Sequence, residues 1–130
     1  MHIATDTLKI LKFVTVWALV IFFIAGSIGN IFPPDNVQAD YERWGYPDWF
    51  HYVTGALEFI VAILIVRPAT RLIGSAMGCL IMGAAFGTLL FHGEYSHAAA
   101  PTVILLLLFG CIGFTTKDVR RNMNRGRSAS

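Results

Sequence analysis

Three observations predict an all-α fold, a four-helix transmembrane bundle running up-down-up-down with both termini cytoplasmic. Four apolar segments, roughly 8–29, 49–66, 72–92 and 98–116, are each 18 to 22 residues long. That length lets a helix rising 1.5 Å per residue cross a hydrocarbon core of about 30 Å. Nine of the ten Lys and Arg residues fall on one side if the chain threads back and forth, and only Arg43 falls on the other. Such asymmetry orients membrane proteins with their basic loops inside. Two of the three connections are very short, which makes consecutive helices antiparallel neighbours.

Composition excludes the main alternative. Hydrophobic residues make up 55% of the chain and charged residues 14%. A soluble domain of this size has too little interior to hide that much apolar surface. The basic residues Arg120, Arg121, Arg125 and Arg127 crowd the end of the chain. Beside the fourth span they read as a topology anchor on a flexible tail, 117–130, attracted to anionic headgroups at about 1 kcal/mol per charge. They do not imply nucleic-acid binding.

The first span begins with Lys9 and Lys12 and continues as an apolar run over 13–28. That run is longer than the 7–15 residues of a signal-peptide core, so the segment reads as a retained helix. Pro33 and Pro34 then break it. The outer loop 30–48 follows, with a short interfacial helix expected over 36–43. Tyr41, Trp44, Tyr46, Trp49 and Tyr52 gather at this boundary. An aromatic belt anchoring the interface and a cap over an outward-facing pocket both fit them.

The second and third spans are joined by Arg67-Pro68-Ala69-Thr70-Arg71. Proline stops one helix, and Thr70 is placed to cap the next. The third span carries Gly74-x-x-x-Gly78 and Gly83-x-x-x-Gly87, spacings that let helix backbones approach closely in lipid. Packing within the bundle is the expected use, and a homo-oligomer face is the alternative. Cys79 and Cys111 sit at similar depth in the third and fourth spans, with the spacing of packing residues rather than of a redox motif. Pro101 falls in the first turn of the fourth helix, where its missing N–H is harmless.

Glu58 stands out chemically. It lies mid-way along the second span, where an ionised carboxylate costs at least about 2.5–3.5 kcal/mol. It must face the bundle interior, be neutral, or pair with a donor. His51 precedes it by seven residues, on nearly the same helix face and about 10 Å nearer the outer surface. Thr54 and Gly55 lie between them. Such a stripe suits a protonatable track or a polar pocket open outward. At the same level come Asp48, His92, Glu94 and His97. His92, Glu94 and His97 join Glu58, His51 and Thr54 as candidates for ligand binding or proton handling; no compact spacing fixes a metal, and none is expected. Phosphate-binding loops, dinucleotide fingerprints, GxSxG, HExxH and CxxCH are all absent.

The run Trp44-Gly45-Tyr46-Pro47-Asp48-Trp49-Phe50-His51-Tyr52-Val53-Thr54-Gly55-Ala56-Leu57-Glu58 resembles the DoxX-like membrane proteins, with their "GYP-x-WF" entry to a "G-x-LE" second helix. Thr70-Arg71-Leu72-Ile73-Gly74-Ser75, Phe91-His92-Gly93-Glu94 and Ala100-Pro101 extend the likeness over most of 10–116. The resemblance implies a four-helix inner-membrane protein. Some members serve a thiosulfate:quinone oxidoreductase, and others membrane thiol-redox complexes or receptor assembly. His51, Gly55, Glu58 and the His92/Glu94 region match the family's recurring polar positions, without a catalytic assignment.

The leading expectation is therefore an accessory membrane subunit. It would bind a lipophilic small molecule such as a quinone near His51 and Glu58, with electrons supplied by a membrane redox partner protein. A non-catalytic scaffold, in which Glu58 only joins helices, is the main rival. A small proton-coupled transporter is the third reading. It suffers because small multidrug transporters carry their membrane glutamate in the first helix, and the first span here has none.

Overall fold

The computed structural model describes residues 2–130. The described residues form five helices: α1 His2–Ile31, α2 Asp35–Arg43, α3 Phe50–Val66, α4 Arg71–Phe91 and α5 Ala99–Ser128. No strand occurs among the described residues. Three helices, α1, α4 and α5, are long and apolar enough to cross a membrane. Helix α3 is apolar but has 17 residues, a length of about 26 Å.

The four longer helices pack in chain order. Helix α1 lies against α3, α3 against α4 and α4 against α5, and a lighter α1–α5 contact closes the ring. Leu19, Phe23, Val61, Ile65, Leu108 and Cys111 are fully enclosed at the centre. Cys111 accepts a 3.3 Å hydrogen bond from the buried Ser75 hydroxyl, and Cys79 packs on the edge of the same cluster. Both thiols are free. The outward faces carry Phe13, Ile21, Leu80 and Phe91, all largely exposed, as lipid contact requires.

Several boundaries differ from the sequence reading. The segment 117–130, expected as a flexible tail, is helical to Ser128. No proline interrupts it, Arg125 and Arg127 in its last turn suit the negative end of the helix dipole, and Lys12 of α1 pairs with Asp118 at 2.9 Å. The short outer helix starts at Asp35, whose charge favours the first turn. Asn30, expected in the loop, belongs to the last turn of α1.

Thr70 also acts differently. Its hydroxyl makes no cap bond to α4 and donates back to the Leu64 carbonyl at 2.8 Å. Arg71 donates to the Ile65 and Val66 carbonyls at 2.8 and 3.2 Å. The last carbonyls of a helix have no partner within it, so here the start of α4 satisfies the end of α3.

The glycines of α4 divide into two kinds. A Cβ at Gly74 would come within 2.7 Å of Leu64 Cβ, and one at Gly78 within 3.1 Å of both Leu108 and Phe23. Around Gly83 and Gly87 nothing lies within 4 Å. Helices α3 and α4 thus meet closely near Gly74. Further along, over 50–58 and 80–89, they line a cavity.

Candidate functional site

The site begins with two glycines on facing helices. A Cβ at Gly26 of α1 would sit 2.9 Å from the Glu58 carboxylate. A Cβ at Gly55 of α3 would sit 2.8 Å from Ile31 Cγ1 and 3.0 Å from the Ser27 carbonyl oxygen. Their bare backbones let α1 and α3 approach closely enough for Glu58, only 4% exposed, to reach across to Asn30. The Asn30 amide donates to Glu58 Oε2 at 2.8 Å, and the Tyr41 hydroxyl of α2 donates to Asn30 Oδ1 at 2.8 Å. Burial raises the Tyr41 phenol above its ordinary range, so it remains a donor. On the other side of Asn30, His51 Nδ1 lies 2.6 Å from its main-chain oxygen. A carbonyl only accepts, so that nitrogen carries the proton.

Above this chain of hydrogen bonds is a cavity of about 480 Å³ between α3 and α4, roofed by α2. Glu58 and Thr54 line one wall, Met82, Ala85 and Leu89 the other, and Tyr41, Trp44, Tyr46 and Phe50 the roof and side. The rings of Tyr46 and Phe50 stack at 4.4 Å. Leu57 and Leu80, which also line the cavity, are partly or largely exposed on the outer faces of their helices. The space therefore reaches the apolar surface between α3 and α4.

Two helix ends aim the roof. In 41–46, Tyr46 N–H bonds the Tyr41 carbonyl and Gly45 N–H the Glu42 carbonyl. In 89–94, Glu94 N–H bonds the Leu89 carbonyl and Gly93 N–H the Leu90 carbonyl. Both are Schellman ends, with Gly45 at φ +79° and Gly93 at φ +73° in the left-handed conformation that glycine adopts without strain. They turn Tyr46 toward Thr88, 2.7 Å away, and Glu94 toward α2. Glu94 Oε1 accepts from Arg43 Nη2 at 2.7 Å and Trp44 Nε1 at 3.0 Å, while His97 Nδ1 lies 3.3 Å from Oε2.

This latch predicts a pH response. The Trp44 indole and the Arg43 guanidinium hold the Glu94 carboxyl down to about 2, below the ordinary value of about 4.3. A lowered folded-state value stabilises above the ordinary one and ceases to do so as pH falls through the lowered one. The distance between spin labels at positions 38 and 95 is expected to stay fixed from pH 7 to about 4.5 and to broaden toward pH 2. Glu94→Leu is expected to show the broad distribution already at pH 7. An unchanged distance at both would contradict the latch.

The candidate residues fall into separate places. Glu58 and Thr54 line the cavity, though the Thr54 hydroxyl is directed to the Phe50 carbonyl at 3.1 Å. His51 lies behind them, on the α1 side. His92 folds onto the Thr88 carbonyl at 2.9 Å on the surface. Glu94 and His97 belong to the latch. No group of three metal-ligating side chains assembles among the described residues. Sequence reasoning missed Asn30 as the shared partner, together with Gly26. The one signal for Asn30 was an amide at the last position of an apolar run.

A family model described as the DoxX-like family matches residues 13–111. No curated protein and no solved structure matches the chain. The chain belongs to the DoxX-like family.

Proposed function

We propose that this DoxX-like chain is an integral inner-membrane protein that holds a lipophilic small molecule in the cavity beneath α2, with the molecule's polar end at Glu58. In this reading α1, α3, α4 and α5 all cross the bilayer and both termini are cytoplasmic. The Lys and Arg distribution supports that orientation, and 17 residues lie at the short end of the spanning range. The observation that carries the function is a cavity of about 480 Å³, walled mainly by apolar and aromatic groups, with a buried carboxyl group on one side. That is the size and composition of a small-molecule site, and an ionisable group at this depth is costly without a task.

Two ligand classes suit such a site. A quinone would present a carbonyl, to which Glu58 would have to donate in its neutral form. The chain would then be an accessory subunit beside a redox partner that supplies electrons. Alternatively, the ligand itself brings the donor.

The test is native mass spectrometry of protein extracted in its own lipids, comparing wild type with Ala85→Trp, whose indole fills the cavity from the wall facing Glu58. Wild type is expected to retain a specific lipophilic molecule that the variant lacks. Bulk lipid alone in both would reject the reading in favour of a structural role for Glu58.

A further inference from the structure

The hydrogen-bond directions around Glu58 select between those ligand classes. Tyr41 donates to Asn30, and Asn30 donates to Glu58. The relay thus runs toward the carboxyl group and leaves its oxygens as acceptors, the second Asn30 N–H being the one donor it keeps beside the cavity. The other hydroxyl on the same helix wall, Thr54, is directed to the Phe50 carbonyl, and the Trp44 N–H is directed to Glu94. A ligand that only accepts, such as a carbonyl, finds few donors at this end of the cavity.

Charge and ring placement agree. The lining includes two acids, Asp40 and Glu58, and no Lys, Arg or His. Asp40 already pairs with Arg43 at 2.9 Å, which leaves Glu58 as the lining acid with no basic partner among the described residues. Tyr41, Trp44, Tyr46 and Phe50 line the cavity beside it, and aromatic faces attract desolvated cations. A buried carboxylate without a counter-charge is expensive, and a cation that hydrogen-bonds to it removes that cost.

We infer that the cavity takes a lipophilic amine, with its protonated nitrogen donating to Glu58 and its apolar body lying between α3 and α4 toward Leu57 and Leu80. This rests on the proposed ligand-binding reading and names the head group within it.

The test uses the full chain in lipid nanodiscs with three probes of similar apolar size: dodecylamine, dodecanol and a decyl-substituted benzoquinone. Binding is read by native mass spectrometry and by tryptophan fluorescence. The amine is expected to bind at least about tenfold more tightly than the alcohol. Glu58→Gln should abolish that preference and leave the alcohol nearly unchanged. Ala85→Trp, which keeps the carboxyl group, should weaken amine and alcohol together. Should Glu58→Gln not fold, the wild-type amine-to-alcohol ratio and the Ala85→Trp result still decide. Equal binding of amine and alcohol, preference for the quinone, or an undiminished amine preference in Glu58→Gln would overturn the inference and leave the ligand-binding reading standing. Saturable binding of none of the three probes would overturn both.

Discussion

Gly55→Val is expected to destabilise the protein by about 3 kcal/mol, the upper part of the range for overfilling a packed interior. The new Cβ would lie 3.0 Å from the Ser27 carbonyl oxygen, 2.8 Å from Ile31 Cγ1 and 3.1 Å from Asn30 Cβ. The Ser27 oxygen is main chain within α1 and cannot move without the helix. The clash therefore pushes α1 from α3 along the face that joins Asn30 to Glu58. In lipid, where helix association depends on close packing rather than on exclusion of water, that separation has no hydrophobic compensation. Gly83→Ala is the control. Nothing lies within 4 Å of Gly83, so the gain in helix propensity, up to about 1 kcal/mol, should dominate. Thermal unfolding of both variants in nanodiscs checks the contrast. A Gly55→Val protein as stable as wild type would show that α1 and α3 are not held as described.

Asn30→Leu is expected to be comparably damaging, by about 3 kcal/mol, for a different reason. Leucine has the same number and branching of side-chain heavy atoms as asparagine, so no cavity opens. What disappears is the hydrogen bond from Asn30 to Glu58 and the acceptor for Tyr41. Leaving buried polar groups unpaired costs about 1–3 kcal/mol each, and more when one is charged. The His51 bond goes to the Asn30 main chain and should survive. Loss of stability should therefore be accompanied by release of α2, read as faster hydrogen exchange across 35–43, while exchange at the α3–α4 turn stays slow. Unchanged stability in Asn30→Leu would mean that the Tyr41–Asn30–Glu58 relay is incidental.

These two residues show where sequence reasoning stopped. Glu58 was conspicuous because a single carboxyl group in an apolar run violates the composition around it. His51, seven residues earlier, shares its helix face by periodicity alone, and both are indeed buried on α3. Asn30 sends no such signal. An amide beside a double proline reads as loop, and only the position of α1 against α3 turns it toward the carboxyl group. The outer set of His and Glu side chains was legible as a level along the helices but not as separate places. Helix rise fixes depth, whereas the direction around the helix axis beyond a terminus depends on how the chain turns. At 89–94 a left-handed glycine makes that turn and commits Glu94 to Arg43 and Trp44. The glycine pairs of α4 taught the same lesson. Their spacing is identical, yet one pair touches neighbouring helices and the other faces open space.

By itself the sequence determined that the chain is helical, where most of its helices lie, that they are apolar enough for lipid, and that Glu58 needs an explanation. Those properties follow from local composition and from a 3.6-residue period that every residue shares. Only the tertiary structure decided that Glu58 meets Asn30, that α2 roofs a cavity, and that Glu94 fastens the roof. Each depends on how the helices meet: Gly26 and Gly55 set the approach of α1 to α3, and the turns at Gly45 and Gly93 aim the roof and its latch, through contacts between residues 28 to 51 positions apart, a distance at which no periodicity carries information.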